Sequence, residues 1–137
     1  MSARYLPDDW TMPALTDRNA PFFTRGELIL ERCTACGHVQ HPPSGVCVMC
    51  HSLDTTEQPA DPIGVVDAFS IVHHPVNPLL RNHVPYNVVV VALDTYPHVR
   101  IIGNLIAGTP STGLAVRGSF TDPLGDHGIR LLQWEPR

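Results

Sequence analysis

The feature that most constrains this chain is the stretch CTACGHVQHPPSGVCVMC, residues 33 to 50, which holds all four of its cysteines. They form two Cys-x-x-Cys pairs in a chain of only 137 residues. Each pair can make a tight turn that aims two thiolates at one point. Two such turns on facing arms give a tetrahedral four-thiolate site, with metal–sulfur distances of about 2.3 Å for zinc. Gly37 follows Cys36 where such a turn needs a positive φ. His51 takes the equivalent place after Cys50, where a side chain fits less easily. The expected ligands are Cys33, Cys36, Cys47 and Cys50. Four thiolates leave no open coordination position, so the expected role of the ion is structural. The segment is too short to bury a core, and the metal largely replaces one. Zinc is favoured, although four thiolates also suit iron. A redox dithiol would need a βαβ setting, and two disulfides would need a secreted protein. His38, His41 and His51 are read as surface residues beside a filled site.

Composition narrows the function classes. The net charge is −4 and all nine basic residues are arginine. Without lysine there is no Schiff-base or lysine-base chemistry. The acidic balance counts against a nucleic-acid binder, which needs a basic face for phosphate. No apolar run reaches the ~18 residues of a membrane span. The start, MSARYLPDDWTMPAL, lacks the basic-then-apolar pattern of a secretory signal. A cytoplasmic protein without membrane contact is therefore expected, and reduced thiols there favour metal over disulfides.

Along the chain, residues 1–30 read as an N-terminal arm and a short helix. Asp17 is the expected cap, Pro21 sits near the start, and Phe22, Phe23, Leu28 and Leu30 form the apolar side. Residues 31–58 are the ribbon, and SLDTTEQPADPIG reads as a polar connector. Residues 59–137 look all-β. The stretches 64–75, 87–96, 99–108, 114–122 and 129–136 carry the β-branched and aromatic content of five strands. The second, NVVVVALDTY, suggests a strand buried on both faces. Five short strands with one long connection suggest a small Greek-key barrel, so the fold class is mainly β.

Taken together, NAPFFTRGELILERCTACGHVQHPP, CVMC, GVVDAFSIVHHP, VPYNVVVVALD and GNLIAG resemble a known family over nearly the whole chain. These are the small acyl-CoA-associated proteins with a rubredoxin-like zinc ribbon and an OB-fold, long catalogued as a domain of unknown function. Two positions depart from the family pattern. Ser44 stands where an arginine usually follows the Pro-Pro pair, and Val48 where a proline usually follows the third cysteine. The resemblance implies a five-stranded OB barrel and a structural Zn2+. It also implies a thiolase-superfamily partner, a thiolase or an aldolase that cleaves acyl-CoA side chains in lipid or steroid degradation, in a heterotetramer with two copies of each chain. The ribbon and helix would dock on the enzyme, the barrel would help hold the acyl-CoA, and the carbon–carbon chemistry would belong to the partner.

For a catalyst on this chain one looks for a nucleophile with a base, paired carboxylates or an open metal, and none stands out. The acyl-CoA candidates are Arg81, Arg100 and Arg117 for the phosphates, with His73, His74, His83 and Tyr86 around the 76–86 loop. The docking candidates are Trp10, Phe22 and Phe23, with Leu79 and Leu80 beside Arg81. The competing readings are a single-stranded nucleic-acid module, since zinc ribbons and OB folds also occur there, and a stand-alone enzyme or rubredoxin-like carrier.

Overall fold

A computed structural model of the chain describes residues 3–137. The order of elements is α1 (Ala20–Thr24), β1 (Ile29–Cys33), β2 (Val39–Gln40), β3 (Thr55–Pro59), β4 (Ile63–Val72), a 3-10 helix (Pro78–His83), β5 (Tyr86–Leu93), β6 (Arg100–Gly103), β7 (Ala115–Phe120) and β8 (Leu132–Pro136). No helix among the described residues is long and apolar enough to cross a membrane.

The short helix differs from expectation at both ends. Its N-cap is Asn19, not Asp17. The Asn19 Oδ1 accepts from Thr16 N at 2.7 Å, and Thr16 Oγ1 accepts from Asn19 N at 3.2 Å, so the turn before the helix closes on itself. Gly26, at φ 72°, turns the chain out of the helix. Leu28 and Leu30 therefore serve β1 and the segment before it, not a helical face.

β1 is the middle strand of a three-stranded sheet ordered β2-β1-β3. The third strand corrects the sequence reading, which made this region a connector. β3 pairs antiparallel with all of β1, from Ile29 opposite Pro59 to Cys33 opposite Thr55. Its sequence TTEQP hides it, because an edge strand with mostly exposed side chains needs no apolar alternation.

The second sheet has five strands in the order β6-β5-β4-β7-β8. A parallel bridge from Leu105 to Trp134 joins its two ends and closes the barrel. Trp134 N donates to Asn104 O at 2.9 Å and Ile106 N to Trp134 O at 2.8 Å across that seam. This is the five-stranded Greek-key closure of an OB-fold. β5 alternates between buried and half-buried residues rather than being buried throughout. In a single closed sheet only the inner face meets a core. Gly64 shows how closely β4 and β5 pack: a Cβ there would lie 2.2 Å from Ala92 O.

The barrel core is built on Val66, Val89, Val91, Leu93, Ile101, Val116 and Trp134. It runs without a break into Phe22, Leu28, Leu30 and Val39 at the base of the ribbon. The N-terminal arm lies against the barrel. Tyr5 N donates to Gln133 Oε1 at 2.7 Å, and Gln133 Nε2 donates to Ala3 O at 3.0 Å.

Candidate functional site

The two cysteine turns are built alike. In the first, Gly37 N donates to Cys33 O and Cys33 N to His38 O; in the second, His51 N donates to Cys47 O and Cys47 N to Ser52 O, all at 2.9 Å. Gly37 has φ 80° and His51 φ 64°, the only non-glycine positive φ among the described residues. The turn needs the left-handed region at that place whichever residue stands there. The four Sγ atoms lie within 4.8 Å of one another. Two pairs meet between the turns, Cys33 to Cys50 at 3.5 Å and Cys36 to Cys47 at 3.6 Å. A tetrahedron with 2.3 Å bonds has sulfurs about 3.8 Å apart, whereas a disulfide is about 2.05 Å. All four cysteines are free.

The electrostatics also fit a cation. The backbone N–H of Cys36, aided by that of Ala35, pulls the Cys33 thiol down to about 6. The N–H groups of Cys50 and Met49 lower Cys47. At Cys50 the Ser52 N–H favours the thiolate, but the neighbouring sulfurs and burial outweigh it and push the thiol up to about 12. At Cys36 the His38 N–H is likewise outweighed, and the thiol is raised. Two thiolates form readily and the next two are opposed by them, which a divalent ion at the centre reverses.

Glu31 and Gln40 brace the second turn, a feature sequence reasoning missed. Buried Glu31 accepts from Gln40 Nε2 at 2.7 Å and from the backbone N–H groups of Ser44 and Gly45 at 3.0 Å each. Burial raises its pKa, but the N–H of Ser44, the Gln40 amide and the N–H of Gly45 together hold it below its ordinary value. Gln40 Oε1 in turn accepts from Val48 N at 3.0 Å. A proline at 48 has no N–H to give, so the departure at this position supplies the bond. The one available signal was a carboxylate inside the apolar strand ILERC.

The remaining candidates fall in separate places, five at one end of the barrel and Arg100 and Arg117 away from it. His73 and His74 lie in the bend after β4, with Arg81 and His83 on the 3-10 helix, all exposed. Tyr86 opens β5 opposite Val72, at the same end of the barrel. Arg117 is opposite Ile63, at the other end of β4. The ten residues of β4, about 30 Å of strand, separate those two ends. Arg100 is held by Asp67 at 3.1 Å and by the Pro97 carbonyl. Among the docking candidates, Phe22 is buried in the core and Leu80 is 3% exposed, so neither is offered to a partner. Phe23 and Trp10 are partly covered, and Leu79 is half exposed. Three well-exposed apolar side chains cluster on the metal tip, Val48 at 63%, Met49 at 68% and Leu53 at 74%; two others stand apart, Val76 in the bend after β4 and Ile102 on β6.

Fold and site together define a two-part protein, a metal-stapled ribbon set on an OB barrel. Comparison with known families gives the same division. Residues 23–56 match the profile "ChsH2, rubredoxin-like zinc ribbon domain" and residues 57–121 match "ChsH2, C-terminal OB-fold domain". The chain belongs to this ChsH2-type zinc-ribbon and OB-fold family, and its metal is a structural zinc. Among solved structures it is similar to a chain of the "Ltp2-ChsH2(DUF35) aldolase", with a TM-score of 0.75 and 29% identity, covering 91% of this chain and 98% of that one. A DUF35-family protein of unknown function from Sulfolobus solfataricus shares the fold, with a TM-score of 0.54 and 14% identity, covering 89% of this chain and 87% of that one. A Thermomonospora curvata protein named "Probable enoyl-CoA hydratase alpha subunit" is 33% identical over 101 residues, which are 72% of this chain and 30% of that protein's length.

Proposed function

We propose that this chain is the zinc-ribbon and OB-fold subunit of an acyl-CoA aldolase complex, docked on a thiolase-superfamily partner that carries out the carbon–carbon chemistry. The observation that carries this reading is the match over almost the whole length of both chains to the subunit of the Ltp2-ChsH2 aldolase. The metal tip supports it. Val48, Met49 and Leu53 are left largely uncovered by the rest of the chain, and a rigid apolar knob suits the buried centre of a protein interface. On this reading zinc holds the knob in shape, the barrel helps position an acyl-CoA of lipid or steroid degradation, and the assembly is a cytoplasmic heterotetramer of two copies of each chain. The net charge of −4 argues against the single-stranded nucleic-acid alternative.

The test is co-expression with a candidate thiolase-like protein from the same organism. The two are expected to co-purify at equal stoichiometry and to cleave an acyl-CoA side chain by retro-aldol reaction. Separate elution, with the thiolase-like protein fully active alone, refutes the proposal.

A further inference from the structure

A cleft of about 870 Å3 lies where α1 and the turn at residues 41–43 face β6 of the barrel. Its size falls within the range of small-molecule sites, and such sites favour the boundary between two structural units. The lining is mainly apolar, with Phe22, Phe23, Pro42, Pro43, Ile101 and Ile102. Ile102 is 68% exposed, an apolar side chain left uncovered inside a concavity.

Two guanidiniums border this surface, Arg18 and Arg100. Arg18 is pre-positioned. Its Nη1 donates to the Ser44 carbonyl at 2.9 Å. The guanidinium also lies over Gly45, where a Cβ would come within 2.5 Å of its Cζ and Nε. Arg18 forms no ion pair among the described residues, whereas Arg100 is neutralised in part by Asp67. Asp17 also lines the cleft, so the charge that favours an anion is local to Arg18. On the ribbon side, His41 packs its ring against Phe22 with centroids 4.7 Å apart. Its buried Nδ1 has no hydrogen-bond partner, in a position where such atoms ordinarily find one.

We propose that this cleft binds an amphiphilic anion: an apolar chain or ring system lying on Phe23, Pro42 and Ile102, and ending in a carboxylate or phosphate held by Arg18. The charge arrangement selects this class, because a guanidinium with free N–H groups beside an apolar floor matches a ligand with one charged end. The proposal concerns the isolated chain and stands apart from the aldolase reading.

The experiment is titration calorimetry of the zinc-loaded full-length chain with decanoate, decyl phosphate and decanol. Both anions, or one of them, should bind with Kd of ~10–100 µM, and decanol about tenfold more weakly. The tighter anion identifies the head group. Arg18→Gln should weaken anion binding about tenfold and leave decanol unchanged. Ile102→Ser should weaken all three. Unchanged zinc content and melting temperature show that each variant is folded. Three results each overturn the proposal: no anion binding below about 1 mM, decanol binding as tightly as the anions, or an Arg18→Gln variant that binds anions like the parent. A cleft that stays empty while the chain still co-purifies with its aldolase partner overturns this proposal alone.

Discussion

The metal tip and the barrel solve the same problem, holding a short chain in one shape, by opposite means. In the barrel, Val89, Val91, Val116 and Trp134 are each 0% exposed, and burial of apolar surface supplies the cohesion. At the tip the most deeply buried groups are cysteines, with Cys47 at 0% and Cys33 at 1%, while Val48, Met49 and Leu53 point outward. The difference teaches that the tip's apolar residues are free for other uses because they do not hold it together. Cross-linking by one ion does so, helped by the Glu31–Gln40 brace.

The largest test of this contrast is removal of the metal. Structural zinc sites contribute on the order of 10–16 kcal/mol in small peptides. Chelation, or Cys47→Ser, should abolish amide protection over residues 33–52 and leave β4 to β8 protected. Hydrogen exchange read residue by residue checks this. Loss of protection in both regions together would make them one cooperative unit and end the contrast. Next in size is Trp134→Ala, which should cost about 3–5 kcal/mol in the barrel yet leave one zinc bound per chain below the melting transition. Calorimetry with metal analysis reads both quantities.

Glu31→Gln should cost about 1–3 kcal/mol, confined to the tip, because the amide gives up an ionised acceptor for two backbone N–H groups. The pH dependence follows from the lowered pKa. A carboxyl held below its ordinary value of 4.5 stabilises the folded state fully above that value, and this contribution vanishes as pH falls through the lower folded value. Between those two values the parent should lose stability with acid more steeply than Glu31→Gln; parallel curves would mean that the brace carries no charge. The smallest effect on stability belongs to V48S/M49S/L53S. It should stay within about 0.5 kcal/mol of the parent while weakening capture of the proposed aldolase partner by about tenfold or more. A large fall in melting temperature would show that these side chains do hold the tip.

What could be read from the sequence follows the range of the forces involved. The metal site was legible because its geometry is local: two four-residue turns, with Gly37 and His51 at the strained positions. The five barrel strands were legible from β-branched runs such as NVVVVAL. β3 was not, because TTEQP has its pairing partners 22 to 30 residues earlier and carries no burial pattern of its own. The inward turn of Phe22 and Leu80 was hidden for a similar reason, since an apolar residue beside a loop is equally suited to core and surface. Asn87 gave no signal either. Its side chain receives Leu105 N at 2.7 Å and donates to Leu105 O at 2.8 Å, imitating a strand pair across the barrel. The cleft beside Arg18 depends on three segments that meet only after folding.

The contact between Ala3 and Gln133 has a topological consequence. Residue 137 lies four strand residues beyond Gln133, about 13 Å of chain, so a linker of roughly six residues could join it back to residue 3. The barrel is then indifferent to where its covalent thread begins. Cutting a ring-closed version in the exposed bend at residues 73–77 should give a permuted protein with the same strand neighbours, and with new ends at a different face for attaching labels or fused partners.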